Sequence, residues 1–237
     1  MNAIGGYFEL ELRKGGHYHN DAIKLNTARN CFEYVLRARQ YAKVYIPYYT
    51  CEVMLDSIKK LGIDYAFYSI NEDLEPVELP MLKHREAFLY TNYFGLKQSC
   101  VRNLAERFGN RLIVDNAQAF YAEPIEGIDT FYSARKFFGV ADGAYLYTNQ
   151  KLGMDLEYDV SFDRMPHLLK RIDLGAEAGY IDFRNDEDIL SNQDIKLMSK
   201  LTWTILSGID YESVKKKRRE NYAFLDEQLK DANLMHL

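Results

Sequence analysis

The sequence predicts an α/β fold of three layers, αβα, with a mostly parallel central sheet. Three observations lead there. Between residues 25 and 150, short β-rich runs alternate with amphipathic segments, the pattern of a sheet covered by helices on both faces. The intervening segments carry apolar residues at helical spacing and end in glycines, as helix C-caps do. Finally, 47% of the 237 residues are hydrophobic, enough to bury a sizeable core and to exclude disorder as the main state.

In chain order, GGYFELEL (5–12) alternates like an N-terminal strand with a pairing role, and KLNTARNCFEYVL (24–36) opens a helix that Asn26 or Thr27 can cap. The expected strands are KVYIP (43–47), DYAFYSI (64–70), EAFLYTN (86–92), RLIVD (111–115), DTFYS (129–133) and GAYLYT (143–148). Met54, Leu55, Ile58 and Leu61 before Gly62 mark one helix; Val101, Leu104, Ala105 and Phe108 before Gly109 mark another. Lys151 to Asn192 has charge clusters and no clean period, so a long active-site loop and a set of short helices both stay open. From Met198 the chain reads as helical. Its basic run KKKRR (215–219) is read as a solvated helix face in preference to a nucleic-acid patch.

Composition narrows the function. Thirty Lys and Arg against 35 Asp and Glu give a net charge of −5, which argues against a nucleic-acid partner. Cys31, Cys51 and Cys100 are odd in number and widely spaced, which fits a reducing, cytoplasmic setting better than a disulfide framework. No run approaches the roughly 20 apolar residues of a membrane span, and no secretory leader is visible. The load of 19 Tyr and 13 Phe against the single Trp203 suits large buried surfaces. His17-x-His19 lacks a third ligand, so no metal is expected. Cys51 has no nearby histidine and reads as a small packed residue.

Two stretches carry chemistry. RLIVDNAQAF ends a buried strand in Asp115, with Gln118 three residues on, and ligands of open α/β sheets collect beyond such strand ends. A capping role for Asp115 is the equal alternative at this point. DTFYSARKFFGVADGAYLYT places Ser133 and Lys136 as S-x-x-K just past the next strand, followed by Gly139 and Gly143. Alone, S-x-x-K is a weak signal. Together the stretches suit one cofactor: pyridoxal 5′-phosphate needs a lysine for its aldehyde and an acid that keeps its pyridine nitrogen protonated. Its phosphate needs a helix N-terminus, which Thr27 to Asn30 offer, with Arg29 adding charge.

Over most of residues 20 to 230 the sequence resembles the DegT/DnrJ/StrS group of sugar aminotransferases, fold type I enzymes of the aspartate-aminotransferase kind. LNTARNCFEYVL is similar to the phosphate-binding turn and helix. VYIPYYTCEVMLDSIKKLGIDYAFYSI resembles the strand, P-x-x-T turn, helix and strand; RLIVDNAQAF resembles the D-x-A-Q/H-A stretch, and FYSARKFFGVADGAYLYTN the lysine loop. The resemblance implies a cofactor-binding large domain over 1–237, with 200–237 leading toward a small C-terminal domain that is absent or truncated. It makes Lys136 the Schiff-base lysine and Asp115 the pyridine-nitrogen acid. Gln118 and Ala117 would pack on the cofactor, Ser133 would contact the phosphate, and Ala28, Arg29 and Asn30 would form the phosphate turn. The family's stacking aromatic is replaced by Cys51, so Tyr49 or Tyr48 would supply that surface. The N-x-R-M element reads IKLM (195–198).

Lysine at 136 separates the chain from the dehydratase branch, which has histidine there. The implied activity is transfer of an amino group from an amino acid, glutamate, to a nucleotide-linked keto sugar in polysaccharide or deoxysugar biosynthesis, by a homodimer. The alternatives are a degenerate binding module and a fold type I enzyme acting on amino acids.

Overall fold

The computed structural model describes residues 6–232. Along the chain run β1 (Ile23–Leu25), α1 (Ala28–Arg39), β2 (Lys43–Pro47), α2 (Val53–Lys60), β3 (Asp64–Tyr68), β4 (Glu86–Thr91) and α3 (Gln98–Phe108). There follow β5 (Leu112–Asp115), β6 (Asp129–Ser133), β7 (Ala144–Tyr147), α4 (Pro166–Asp173), α5 (Tyr180–Ser191), α6 (Lys200–Ser207) and α7 (Tyr211–Leu229).

One seven-stranded sheet has the order β1-β7-β6-β5-β4-β2-β3. Only β7 runs against its neighbours, β6 and β1; the β2–β3, β2–β4, β4–β5 and β5–β6 pairs are parallel. The mostly parallel sheet expected from the sequence is therefore present. Parallel neighbours bring the carboxyl ends of β2, β4, β5 and β6 to one edge, where the intervening turns can converge on a ligand.

Period-2 alternation sorts the strand side chains onto two faces. Val44, Ile46, Leu89, Ile113 and Phe131 pack with Phe32, Val35 and Leu36 of α1 and with Met54 and Ile58 of α2. Phe88, Tyr90, Leu112 and Val114 point the other way, onto Val101, Leu104 and Phe108 of α3. That layer continues through Tyr132, Tyr145 and Phe120 to Leu206 of α6 and Tyr211 of α7. Arg39 at the end of α1 forks onto the buried Asp129 at the start of β6, with Nε at 2.8 Å and Nη2 at 2.9 Å, a paired geometry that fixes α1 against the strand.

One expectation is corrected. GGYFELEL forms no strand over its described residues: Tyr7, Phe8 and Leu10 are exposed. The position beside β7 is taken by Ile23–Leu25, a strand too short to stand out in sequence. Residues 151–192, left open between loop and helices, contain α4 and α5. The last residues expected to be helical, 233–237, lie outside the described range.

The His17-x-His19 pair is engaged in the core. His17 Nδ1 lies 2.6 Å from the Tyr145 hydroxyl, and His19 Nε2 donates to the Phe120 carbonyl at 2.8 Å. Burial, with help from the charge of Lys24, lowers the pKa of both rings to about 4. Among the described residues no three metal-ligating side chains cluster.

Candidate active site

Asp115 ends β5, paired in register with Phe131 of β6. The Asn116 amide donates to the Phe131 carbonyl at 2.8 Å, and the Asn92 amide to the Asp115 carbonyl at 3.0 Å. Both neighbouring strands thus fix its backbone. Its carboxyl is buried, and Oδ1 accepts one hydrogen bond, from the Ala117 amide at 2.8 Å. Burial pushes its pKa above the usual carboxylate value, while the Ala117 N–H and the charge of Lys136 pull the other way. On the next strand, Ser133 ends β6, and Ala134–Lys136 form a single 3₁₀ turn that delivers Lys136 with an exposed side chain.

The N-terminus of α1 closes the third side. Thr27 Oγ1 caps the helix by accepting from the Asn30 amide at 3.1 Å. Asn26, fully buried, accepts from the Thr27 amide at 3.1 Å and from Asn30 Nδ2 at 2.9 Å. This pinning leaves the first turn of α1 aimed at the ends of β5 and β6.

A cavity of about 170 Å³ lies between these elements, lined by Thr27, Ala28 and Arg29, by Cys51, Val53 and Met54, by Asp115, Ala117 and Phe131, by Ser133, Arg135 and Lys136, and by Glu187 and Leu190. Lys136, Asp115, Ala117, Ser133, Ala28, Arg29 and Cys51 all line this cavity, Cys51 being exposed there and not packed as its small side chain led one to expect. Four expected residues lie elsewhere. Asn30 is buried beneath the turn, donating to the carbonyls of Gln193 and Asp194. Tyr49 stacks on Tyr93, with ring centroids 5.5 Å apart, and Tyr48 stacks on Phe67. Gln118 lines an adjoining cleft with Phe94 and Arg102, its Oε1 buried without a partner among the described residues.

Residues from α5 form the wall that the sequence did not reveal. The Leu190 carbonyl accepts from Arg29 Nη1 at 3.0 Å, and Glu187 pairs with Arg135. His167 of α4 anchors that helix through Asp186 at 2.7 Å, as does Lys170 through Asp182 at 2.7 Å. Arg135 was within reach of sequence reasoning, since it lies inside the S-x-x-K motif. Glu187 and Leu190 sit three apart on one helix face, a spacing hidden by a charge-rich segment.

No family model matches the chain, and no curated protein matches it. Solved structures do. The aspartate aminotransferase of Thermotoga maritima aligns with a TM-score of 0.55 and 11% identity, covering 91% of this chain and 58% of that one. The sugar aminotransferase CalS13 of Micromonospora echinospora aligns with a TM-score of 0.51 and 15% identity, covering 89% and 62%. A DegT DnrJ EryC1 StrS aminotransferase from Brucella abortus gives 0.48 and 15%, covering 89% and 59%. The first two establish the fold as aspartate-aminotransferase-like. The chain spans between 58% and 62% of the length of these three proteins.

Proposed function

We propose that this chain binds pyridoxal 5′-phosphate on Lys136 and transfers an amino group from an amino acid, glutamate, to a nucleotide-linked keto sugar in cell-surface polysaccharide or deoxysugar biosynthesis. The observation that carries the reading is that Asp115 and Lys136, at the ends of neighbouring parallel strands, line one cavity. The surroundings of Asp115 also suit this cofactor. A buried carboxyl with one hydrogen bond is a poor place for a charge until a cation faces it, and a protonated pyridine nitrogen is such a cation. The sugar acceptor, its nucleotide and the glutamate donor rest on the sequence resemblance.

Bound pyridoxal phosphate supplies an aldehyde that condenses with amines and a ring that takes up electrons from the substrate Cα. The chain's residues do the rest. Asp115, held by the Ala117 amide, keeps a proton on the ring nitrogen. Lys136, on a short turn that leaves the residue exposed, takes the proton from the substrate Cα on its Nζ. Ala117, Val53 and Met54 provide apolar wall that excludes water around the ring. Ser133 and the first turn of α1 receive the phosphate, where helix amides and dipole favour an anion.

A homodimer belongs to the same reading. Ile172 and Leu174 at the end of α4 and Ile181 of α5 are exposed, an apolar surface that a second copy would cover. A cytoplasmic location is supported by three free cysteines. Among the described residues no helix is long and apolar enough to cross a membrane.

The test is spectroscopic and kinetic. Wild-type chain given pyridoxal phosphate should develop visible absorption that Lys136→Ala lacks. Addition of glutamate should discharge that absorption, and Asp115→Ala should slow the half-reaction by about 10²-fold or more. Half-reaction at the wild-type rate in Asp115→Ala would contradict its role.

A further inference from the structure

Within the cavity read above as the cofactor site, we propose that Arg135 is the guanidinium that grips the phosphate, and that Glu187 occupies its place until the phosphate arrives. The inference rests on that reading and adds to it a residue and an ion exchange.

The phosphate needs more positive charge than the helix end provides. A phosphate monoester brings roughly −1.5 to −2 at neutral pH, whereas a helix N-terminus offers about half a positive charge and the Ser133 hydroxyl none. Arg29 is engaged in part: its Nη1 donates to the Leu190 carbonyl at 3.0 Å, whereas its Nε, 3.7 Å from the Asp56 carboxylate, makes no hydrogen bond among the described residues. Arg135 is two residues beyond Ser133 and lines the same cavity, so it can face the anion that Ser133 faces.

The hydrogen-bonding state of Arg135 points the same way. Its Nη2 pairs with Glu187, while its Nε is buried and without a partner among the described residues. Arginine meets a carboxylate best through two parallel N–H groups. Here one is used and the other stays bare, at a site where a bare buried donor is costly. A phosphate, with three terminal oxygens, can take both. Glu187 is the displaceable member of the pair: its side chain is 40% exposed, against 18% for Arg135. It is also not what holds α5 in place, since Asp186 on His167 and Asp182 on Lys170 anchor that helix independently. Loading the cavity thus exchanges an internal carboxylate for the phosphate at Arg135 and releases Glu187 toward solvent.

The experiment compares pyridoxal phosphate with pyridoxal, which lacks only the phosphate, by equilibrium dialysis against the full cofactor-free chain. Arg135→Ala should weaken pyridoxal phosphate about ten- to a hundredfold, the loss of one charge-assisted contact, and leave pyridoxal within about twofold. Glu187→Gln should tighten pyridoxal phosphate several-fold, leave pyridoxal unchanged, and make inorganic phosphate a better competitor. Equal effects of Arg135→Ala on both ligands, or none on either, would overturn the assignment. So would a Glu187→Gln variant that binds pyridoxal phosphate no tighter, and that variant decides the matter if Arg135→Ala does not fold. Borohydride trapping of pyridoxal on Lys136 in each variant separates the two levels: trapping on Lys136 with an unaltered phosphate preference sinks only the role of Arg135, and failure to trap on Lys136 in the wild type sinks the cofactor reading itself.

Discussion

Asp115 makes one contribution to the pH dependence of the chain's stability. Its pKa is raised by burial, so its charged form costs stability; that cost is absent below the usual carboxylate range and complete once the pH exceeds the raised value. Asp115→Asn keeps an oxygen for the Ala117 amide and removes the charge. Without cofactor it should melt higher than wild type at neutral pH, and the difference should vanish as the pH falls below about 4, the ordinary carboxylate value. Added pyridoxal phosphate should raise the wild-type melting temperature more than the variant's. His19 acts in the opposite pH direction. Its pKa, lowered to about 4, means that stability is lost as the pH falls through the interval between the ordinary imidazole value and 4. His19→Gln should flatten that acid limb by on the order of 2–3 kcal/mol in urea titrations at pH 4 and 7.

At this scale the sequence was readable where a residue ends a strand. Asp115, Ser133 and Lys136 follow runs whose apolar pattern marks where the backbone stops, and position at a strand end suffices to place them. Side-chain direction was not readable. Tyr49 and Gln118 follow strands too, yet one stacks on Tyr93 and the other turns into the next cleft, because those rotamers answer to tertiary neighbours.

Among the elements, the segment after the lysine turn is secured by α6. Asp142, fully buried, accepts from the Ser199 amide at 2.8 Å and from the Ser199 hydroxyl at 2.7 Å, and also from the Thr202 hydroxyl, at the start of that helix. Gly143 beside it has φ +114, and a Cβ there would meet Thr202 Cγ2 at 2.9 Å. Gly143→Ala should therefore destabilise by about 1–3 kcal/mol from strain and crowding, measurable by denaturant unfolding; a neutral effect would mean that α6 does not pack against this loop as described. The boundaries of β2 and β6 match their sequence runs because alternation and β-branched or aromatic residues agree there. α5 was hidden because its buried face is small, Asp186 and Leu190, while Ile181 and Ile189 are exposed. A helix that turns apolar residues outward and a carboxylate inward leaves no amphipathic period to detect.

For the whole molecule, the parallel sheet gathers the site from segments more than a hundred residues apart: the start of α1, the turn after β2, the ends of β5 and β6, and α5. That gathering follows from strand order and handed crossovers, which a list of elements leaves undetermined until β1 is placed beside β7. The exposed apolar surface of α4 and α5 is the molecular-scale counterpart of the hidden helix. Light scattering of the chain with saturating pyridoxal phosphate should give twice the monomer mass, and a monomer under those conditions would contradict the proposed dimer.

The proposed role of Lys136 as the amine of the cavity is open to reduction followed by peptide mapping. The chain should be mixed with pyridoxal phosphate, reduced with borohydride, digested and sequenced by mass spectrometry. One pyridoxyl-modified peptide should carry the label on Lys136 and be lost in Lys136→Arg; a label spread over surface lysines, or concentrated on another residue, would contradict that role.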